Sequence, residues 1–158
     1  MTETVESRRT RDHALLQESL GLVAPVADDF VAAFYDKLFD DHPHLRLMFP
    51  IDMSAQREKL LKAIVALVTH YDQPEQLTPA LTAMGRKHVG HGVSLADYAS
   101  VGAALMDTLR RFGGLSWGVE YDGAWQRAYT FAAGTMMVQS ADVYVNADAN
   151  AESGQFAA

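Results

Sequence analysis

Four side chains of different chemistry sit where a helical chain could bring them together: the phenol of Tyr35, the ring of Phe49, the amide of Gln56 and the imidazole of His88. His88 closes a series of apolar positions, Leu77, Leu81 and Met84, spaced so that its ring points where those side chains point. Tyr35 lies 21 residues before Gln56, and Gln56 lies 32 residues before His88 and one turn before Leu60. Each residue alone has an ordinary explanation. A histidine near a helix C-terminus bonds the last carbonyls and complements the dipole. A core tyrosine satisfies its hydroxyl locally, and a glutamine on an amphipathic helix faces water. Enclosed together by apolar walls, the set suits haem iron and a gas ligand. Neutral imidazole nitrogen is a good iron ligand when a partner holds the other ring nitrogen. A phenol O–H and an amide N–H across the slot would stabilise a diatomic ligand that gathers negative charge, each by about 1 kcal/mol. Donors that supply ~1.4 kcal/mol between them slow ligand release about tenfold. That suits chemistry on the bound gas better than easy delivery.

The elements that must position these groups all read as helices, because apolar residues recur at helical spacing and sustained two-residue alternation is absent. Leu15, Leu16, Leu20 and Val23 suggest a first helix that runs into a second carrying Phe30, Val31, Phe34, Tyr35 and Leu38. Asp41-His42-Pro43 stops the second, and a short piece leads to Phe49-Pro50. Ser54 is read as the N-cap of the helix that holds Gln56 and Leu60. Beyond Asp72-Gln73-Pro74 comes the His88 helix, ended by Gly90 and Gly92. Ser94, with Asp97 three residues on, is read as capping a helix that carries Tyr98, Val101 and Leu105 and closes at Gly113-Gly114. A last helix runs from Trp125 past Met136 to Val143. The expected domain is residues 13–146, between flexible tails at 1–12 and 147–158.

The totals narrow the possibilities. The chain of 158 residues has one domain's length, and 49% hydrophobic against 21% charged residues is a normal balance for a buried core. A net charge of −7 with scattered basic residues argues against nucleic acid and anionic membranes as partners. The absence of cysteine excludes disulfides, thiolate ligands, iron–sulfur clusters and cysteine-attached haem. The polar N-terminus and the lack of a run of ~20 apolar residues suggest a cytoplasmic protein. His42, His44 and His91 lack the further ligands that a second metal site needs and are read as surface histidines.

Five stretches, in order, give a specific resemblance. Phe34-Tyr35-Asp36-Lys37-Leu38-Phe39, His42-Pro43-His44-Leu45 with Met48-Phe49, Gln56-Arg57-Glu58-Lys59-Leu60, Arg86-Lys87-His88, and Tyr98-Ala99-Ser100-Val101-Gly102 resemble motifs of bacterial globins related to flavohaemoglobins, especially the single-domain members. The similarity runs from about Ala14 to Val145. It implies an all-α globin fold, helices three over three around haem b, with His88 as the protein ligand to iron. By the same resemblance Tyr35 and Gln56 face the gas, Phe49 packs on the porphyrin and Leu60 walls the pocket. Tyr98 orients His88, and Val101 is a further cofactor contact; apart from the resemblance, Lys87, His91 or Arg57 is a candidate contact to a haem propionate. One position departs: where the family has a glutamate that joins the histidine and tyrosine, this chain has Ser140. Asp142 is no substitute, since two residues rotate a helical side chain by about 200°.

The implied function is reversible oxygen binding with dioxygenation of nitric oxide to nitrate, the reducing electron coming from a separate reductase. Two alternatives stand beside it: a non-enzymatic oxygen store and a gas-sensing module for a partner. Either a monomer or a homodimer fits the sequence.

Overall fold

The computed structural model describes residues 2–155, and side chains as far as Ser140. Six α-helices with three short 3-10 turns make up these residues, and none of them forms a strand. The helices are α1 (Val5–Val23), α2 (Ala27–Asp41), α3 (Ser54–Thr69), α4 (Pro74–Gly90), α5 (Leu95–Gly113) and α6 (Val119–Gln155). They form two layers, with α1, α3 and α4 over α2, α5 and α6; α4 lies on α6, α1 on α5 and α6, and α3 on α2. The expected three-over-three arrangement is therefore present. Successive helices α3 and α4 do not pack closely against each other. No described helix is long and apolar enough to cross a membrane.

Local chemistry explains most boundaries. Ser94 accepts from the Asp97 amide at 3.2 Å and Asp97 accepts from the Ser94 amide at 2.8 Å, so the reciprocal cap read from sequence starts α5. Gly92 (φ 78°) and Gly114 (φ 56°), just beyond α4 and α5, adopt the left-handed region that side chains disfavour. Ser54 does not cap α3. It is the first helical residue, and the Asp52 carboxylate accepts from its amide at 2.9 Å. The proposed N-terminal tail also needs correction, because α1 begins at Val5 behind Thr4, which caps it by accepting from the Ser7 amide at 3.0 Å. Polar composition there hid a helix whose Asp12 is fully buried against Arg127 of α6. At the other end the backbone stays helical through Gln155, where Ala147, Ala149 and Ala151 favour helix; residues 156–158 lie outside the described residues.

Gly85 sets how closely α4 approaches α6. A β-carbon there would lie 2.6 Å from the Met136 carbonyl oxygen and 2.8 Å from its Cα, and backbone atoms cannot swing aside. Gly85→Ala should therefore cost about 2 kcal/mol by overpacking and push the His88 turn away from α6. Denaturant unfolding beside haem uptake checks this; a variant unchanged in both would remove the close approach from the account.

Candidate functional site

Tyr35 sits on the inner face of α2, 3% exposed, where Phe34, Phe39 and Phe49 surround it with centroids 4.9, 5.8 and 5.6 Å away. This aromatic nest is what the spacing of α2 creates, since residues 35 and 39 stack one turn apart. Gln56, half-buried near the start of α3, donates from Nε2 to the Tyr35 phenol oxygen at 3.1 Å. The sense of that bond matters chemically. The phenol oxygen accepts from the amide, so its own proton remains free to donate to something else. Burial raises the Tyr35 pKa, outweighing the lowering effects of the Gln56 hydrogen bond and nearby Arg57, so the group is an O–H donor at neutral pH.

Phe49 and Leu60 are half-buried and pack against the same core as Tyr35. Arg46 fixes the corner that carries Phe49. Its guanidinium donates to the carbonyls of Phe49, Pro50 and Ile51 at 3.2, 2.9 and 3.1 Å and lies 5.3 Å from the Phe39 ring centre. Sequence reasoning missed this residue, and no spacing rule would have marked an arginine that binds the backbone just ahead of it.

On α4, Leu77 and Leu81 are buried and His88 is half-buried at the C-terminal end. His88 Nδ1 lies 2.7 Å from the Met84 carbonyl oxygen. A carbonyl only accepts, so Nδ1 carries the proton, and Nε2 of the neutral ring is left with its lone pair. Among the described residues Nε2 has no protein partner. The carbonyl bond of a helix-end histidine thus also fixes the tautomer that a metal-ligating imidazole would need. The chemistry of the donor set fits haem: an oriented imidazole on α4 and a phenol–amide pair on α2 and α3.

Tyr98 stacks near His88, ring centres 6.0 Å apart and 22° between planes, and Tyr129 donates from its hydroxyl to the Tyr98 carbonyl. The Tyr98 hydroxyl and Ser140 Oγ are both buried, 5% and 6% exposed, and neither has a hydrogen-bond partner among the described residues. Ser140 lies one turn beyond Met136, which packs with Tyr98. Where the resemblance places a carboxylate there is a short hydroxyl, and the His88 proton rests on a neutral carbonyl. Val101 is half-buried on α5 against the core, and Lys87 is exposed beside His88. Shallow surface grooves run along α3 at Leu61–His70 and over Arg9, Tyr71 and Arg127.

Comparison with known proteins identifies the family and fold. The family model described as Globin matches residues 32–136. A flavohemoprotein of Chromobacterium violaceum is 32% identical over 107 residues, covering 66% of this chain and 26% of the relative, so the chain spans about a quarter of that protein. A globin-like protein of Aquifex aeolicus is 28% identical over 130 residues, 82% of this chain and 92% of the relative. Among solved structures, an engineered carbene transferase from Rhodothermus marinus, whose parent is described as a candidate nitric oxide dioxygenase, superposes with a TM-score of 0.77. It is 24% identical, with 93% of this chain and 99% of that one covered. With a family match that spans most of a six-helix fold of this architecture, the chain belongs to the globin family of haem-binding proteins.

Proposed function

We propose that this globin holds haem b through His88 and converts nitric oxide, oxygen and one electron to nitrate, the electron coming from a separate reductase. When bound, haem supplies the iron at which both gases react. The chain's own contribution is positional and electrostatic. His88 presents Nε2 while Met84 holds its proton. Phe49 and Leu60 wall off water, and a dry slot strengthens each polar contact inside it. Gln56 fixes Tyr35 by donating to its oxygen, which aims the phenol proton at a gas ligand that carries negative charge. That hydrogen bond is the observation on which the proposal rests. The flavohemoprotein and dioxygenase names of two relatives support the same direction. A neutral partner for His88 makes it a weaker electron donor than an imidazole bonded to a carboxylate, which favours reversible gas binding over peroxidase-like cleavage.

Tyr35→Phe should raise the oxygen dissociation rate about tenfold, the loss of ~1.4 kcal/mol from one donor in a dry pocket. Rapid mixing of the oxygenated protein with carbon monoxide measures it, and an unchanged rate would take Tyr35 out of the gas pocket. Mixing the same form with nitric oxide should give stoichiometric nitrate. A protein that instead releases oxygen faster than it consumes nitric oxide is a store.

A further inference from the structure

Between the end of α2 and the start of α3 the backbone does little to hold itself. Phe49 is extended (φ −121°, ψ 153°), and Pro50 brings no amide proton. Of residues 49–52, only Phe49 donates its amide to another backbone group, the Arg46 carbonyl at 3.2 Å. One side chain takes up the carbonyls instead. Arg46 Nη1 donates to Phe49 at 3.2 Å and to Pro50 at 2.9 Å, and Nη2 donates to Ile51 at 3.1 Å. Three successive acceptors on one planar fork is a geometry that lysine, a point charge with three donors, does not reproduce. The neighbouring carboxylates have other work: Asp41 pairs with Lys37 at 2.9 Å, and Asp52 accepts from the Ser54 amide.

The face of the same guanidinium covers a ring, with its central carbon 5.3 Å from the centre of Phe39. Phe39 belongs to a closed aromatic triangle. Its centre lies 5.8 Å from Tyr35 and 5.3 Å from Phe49, and the third side, Tyr35 to Phe49, is 5.6 Å. Rings this close do not shift singly in a packed interior. Arg46 therefore grips two corners of the triangle, Phe39 by its ring and Phe49 by its carbonyl, and Tyr35 is the third. The last carbonyl it holds, that of Ile51, lies three residues ahead of Ser54, where the helix that brings Gln56 to the phenol begins.

We infer that Arg46 is a positioning residue for the gas reaction: acting through Phe39 and Phe49, it fixes the direction in which Tyr35 points its proton. The inference rests on the proposed function, which gives that proton its task. Gln56 holds the phenol oxygen at one point, and one hydrogen bond leaves the ring free to pivot about it. The two neighbouring rings remove that freedom, and Arg46 holds both of them. An arginine that served stability alone would leave the gas pocket unchanged in any variant that still folds.

The experiment compares the haem-loaded full chain with Arg46→Met, Arg46→Lys, Tyr35→Phe and the double variant Tyr35→Phe/Arg46→Met. Arg46→Met should raise the oxygen dissociation rate about fivefold, less than Tyr35→Phe, because the donor is misdirected rather than removed. In the Tyr35→Phe background the same change should alter the rate by less than about twofold, since no phenol proton is left to aim. The infrared C–O stretch of the carbon monoxide complex should broaden and rise in frequency in Arg46→Met, the signature of a ligand that loses a fixed donor. Arg46→Lys keeps the charge but not the fork, so it should match Arg46→Met; a lysine that restores the parent rate would overturn the assignment. So would an Arg46→Met effect of full size in the Tyr35→Phe background, or an unchanged rate and stretch in both Arg46 variants. Failure of both Arg46 variants to take up haem would overturn a role confined to positioning. If Tyr35→Phe itself left the rate unchanged, the reading beneath would fall, whatever Arg46 does.

Discussion

His88→Ala should lower haem retention at least about 100-fold, ~2.7 kcal/mol, and free imidazole should restore much of it. The magnitude follows from how few polar contacts the slot offers. Tyr35, Phe49 and Leu60 would still shelter an apolar ring, so hydrophobic partition survives the substitution. What disappears is the sole oriented nitrogen described on the α4 side, Nε2 of a ring whose tautomer is set by the 2.7 Å contact to Met84. The alanine would leave a hole of imidazole size where the ring stood, which exogenous imidazole would fill without its tether. His91 is the natural control. It lies exposed just past the end of α4, its amide bonded to the Lys87 and His88 carbonyls, and His91→Ala should leave the absorption spectrum unchanged. Titration of hemin into both variants, followed in the Soret region, measures the difference. Equal retention by His88→Ala and the parent would remove His88 from the iron and with it the whole assignment.

The site was legible in the sequence to the extent that helical spacing carries it. Leu77, Leu81, Met84 and His88 share a face because a helix repeats every 3.6 residues, and the structure places the first two in the core with His88 at the end. The Tyr35–Gln56 bond was open to inference because α2 and α3 are joined by a short corner and pack together. Arg46 escaped notice since its partners are backbone carbonyls, which have no sequence signature. The start of α1 was misread for a related reason. Val5 to Asp12 look like solvent-exposed polar chain, and the partner that buries Asp12 is Arg127, 115 residues away. Long-range polar pairs between helices leave no periodic trace. Ser140 shows the opposite case. Resemblance locates the position, yet only the structure shows that its hydroxyl, like that of Tyr98, is buried without a described partner.

Arg127→Ala should be strongly destabilising although it is far from His88, costing about 3 kcal/mol, and should cost more than Asp12→Ala. The two bonds are 2.6 and 2.8 Å, but the partners differ sharply in exposure: the Asp12 side chain is 1% exposed and the Arg127 side chain 40%. Removing the arginine leaves a carboxylate between α1 and α6 with no other described partner, and a buried unpaired charge is the expensive outcome. Removing the aspartate leaves a guanidinium that turns to water, so roughly 1 kcal/mol is expected there. In the double variant the stranded carboxylate is gone, and its cost should fall below that of Arg127→Ala alone, a coupling that a double-mutant cycle isolates. Against a total stability of about 5–15 kcal/mol, a loss of 3 kcal/mol is large enough to read directly from denaturant midpoints. The consequence reaches the site indirectly. Helix α1 packs on α3, α5 and α6, so loosening it removes support from behind the helix that carries Gln56. Folded Arg127→Ala should therefore keep its haem spectrum, because no ligand is touched, while losing haem faster on heating than the parent. If Asp12→Ala proved the costlier change, the charge would not be stranded as described, and α1 would be held by its apolar contacts at Leu16 and Val23 instead.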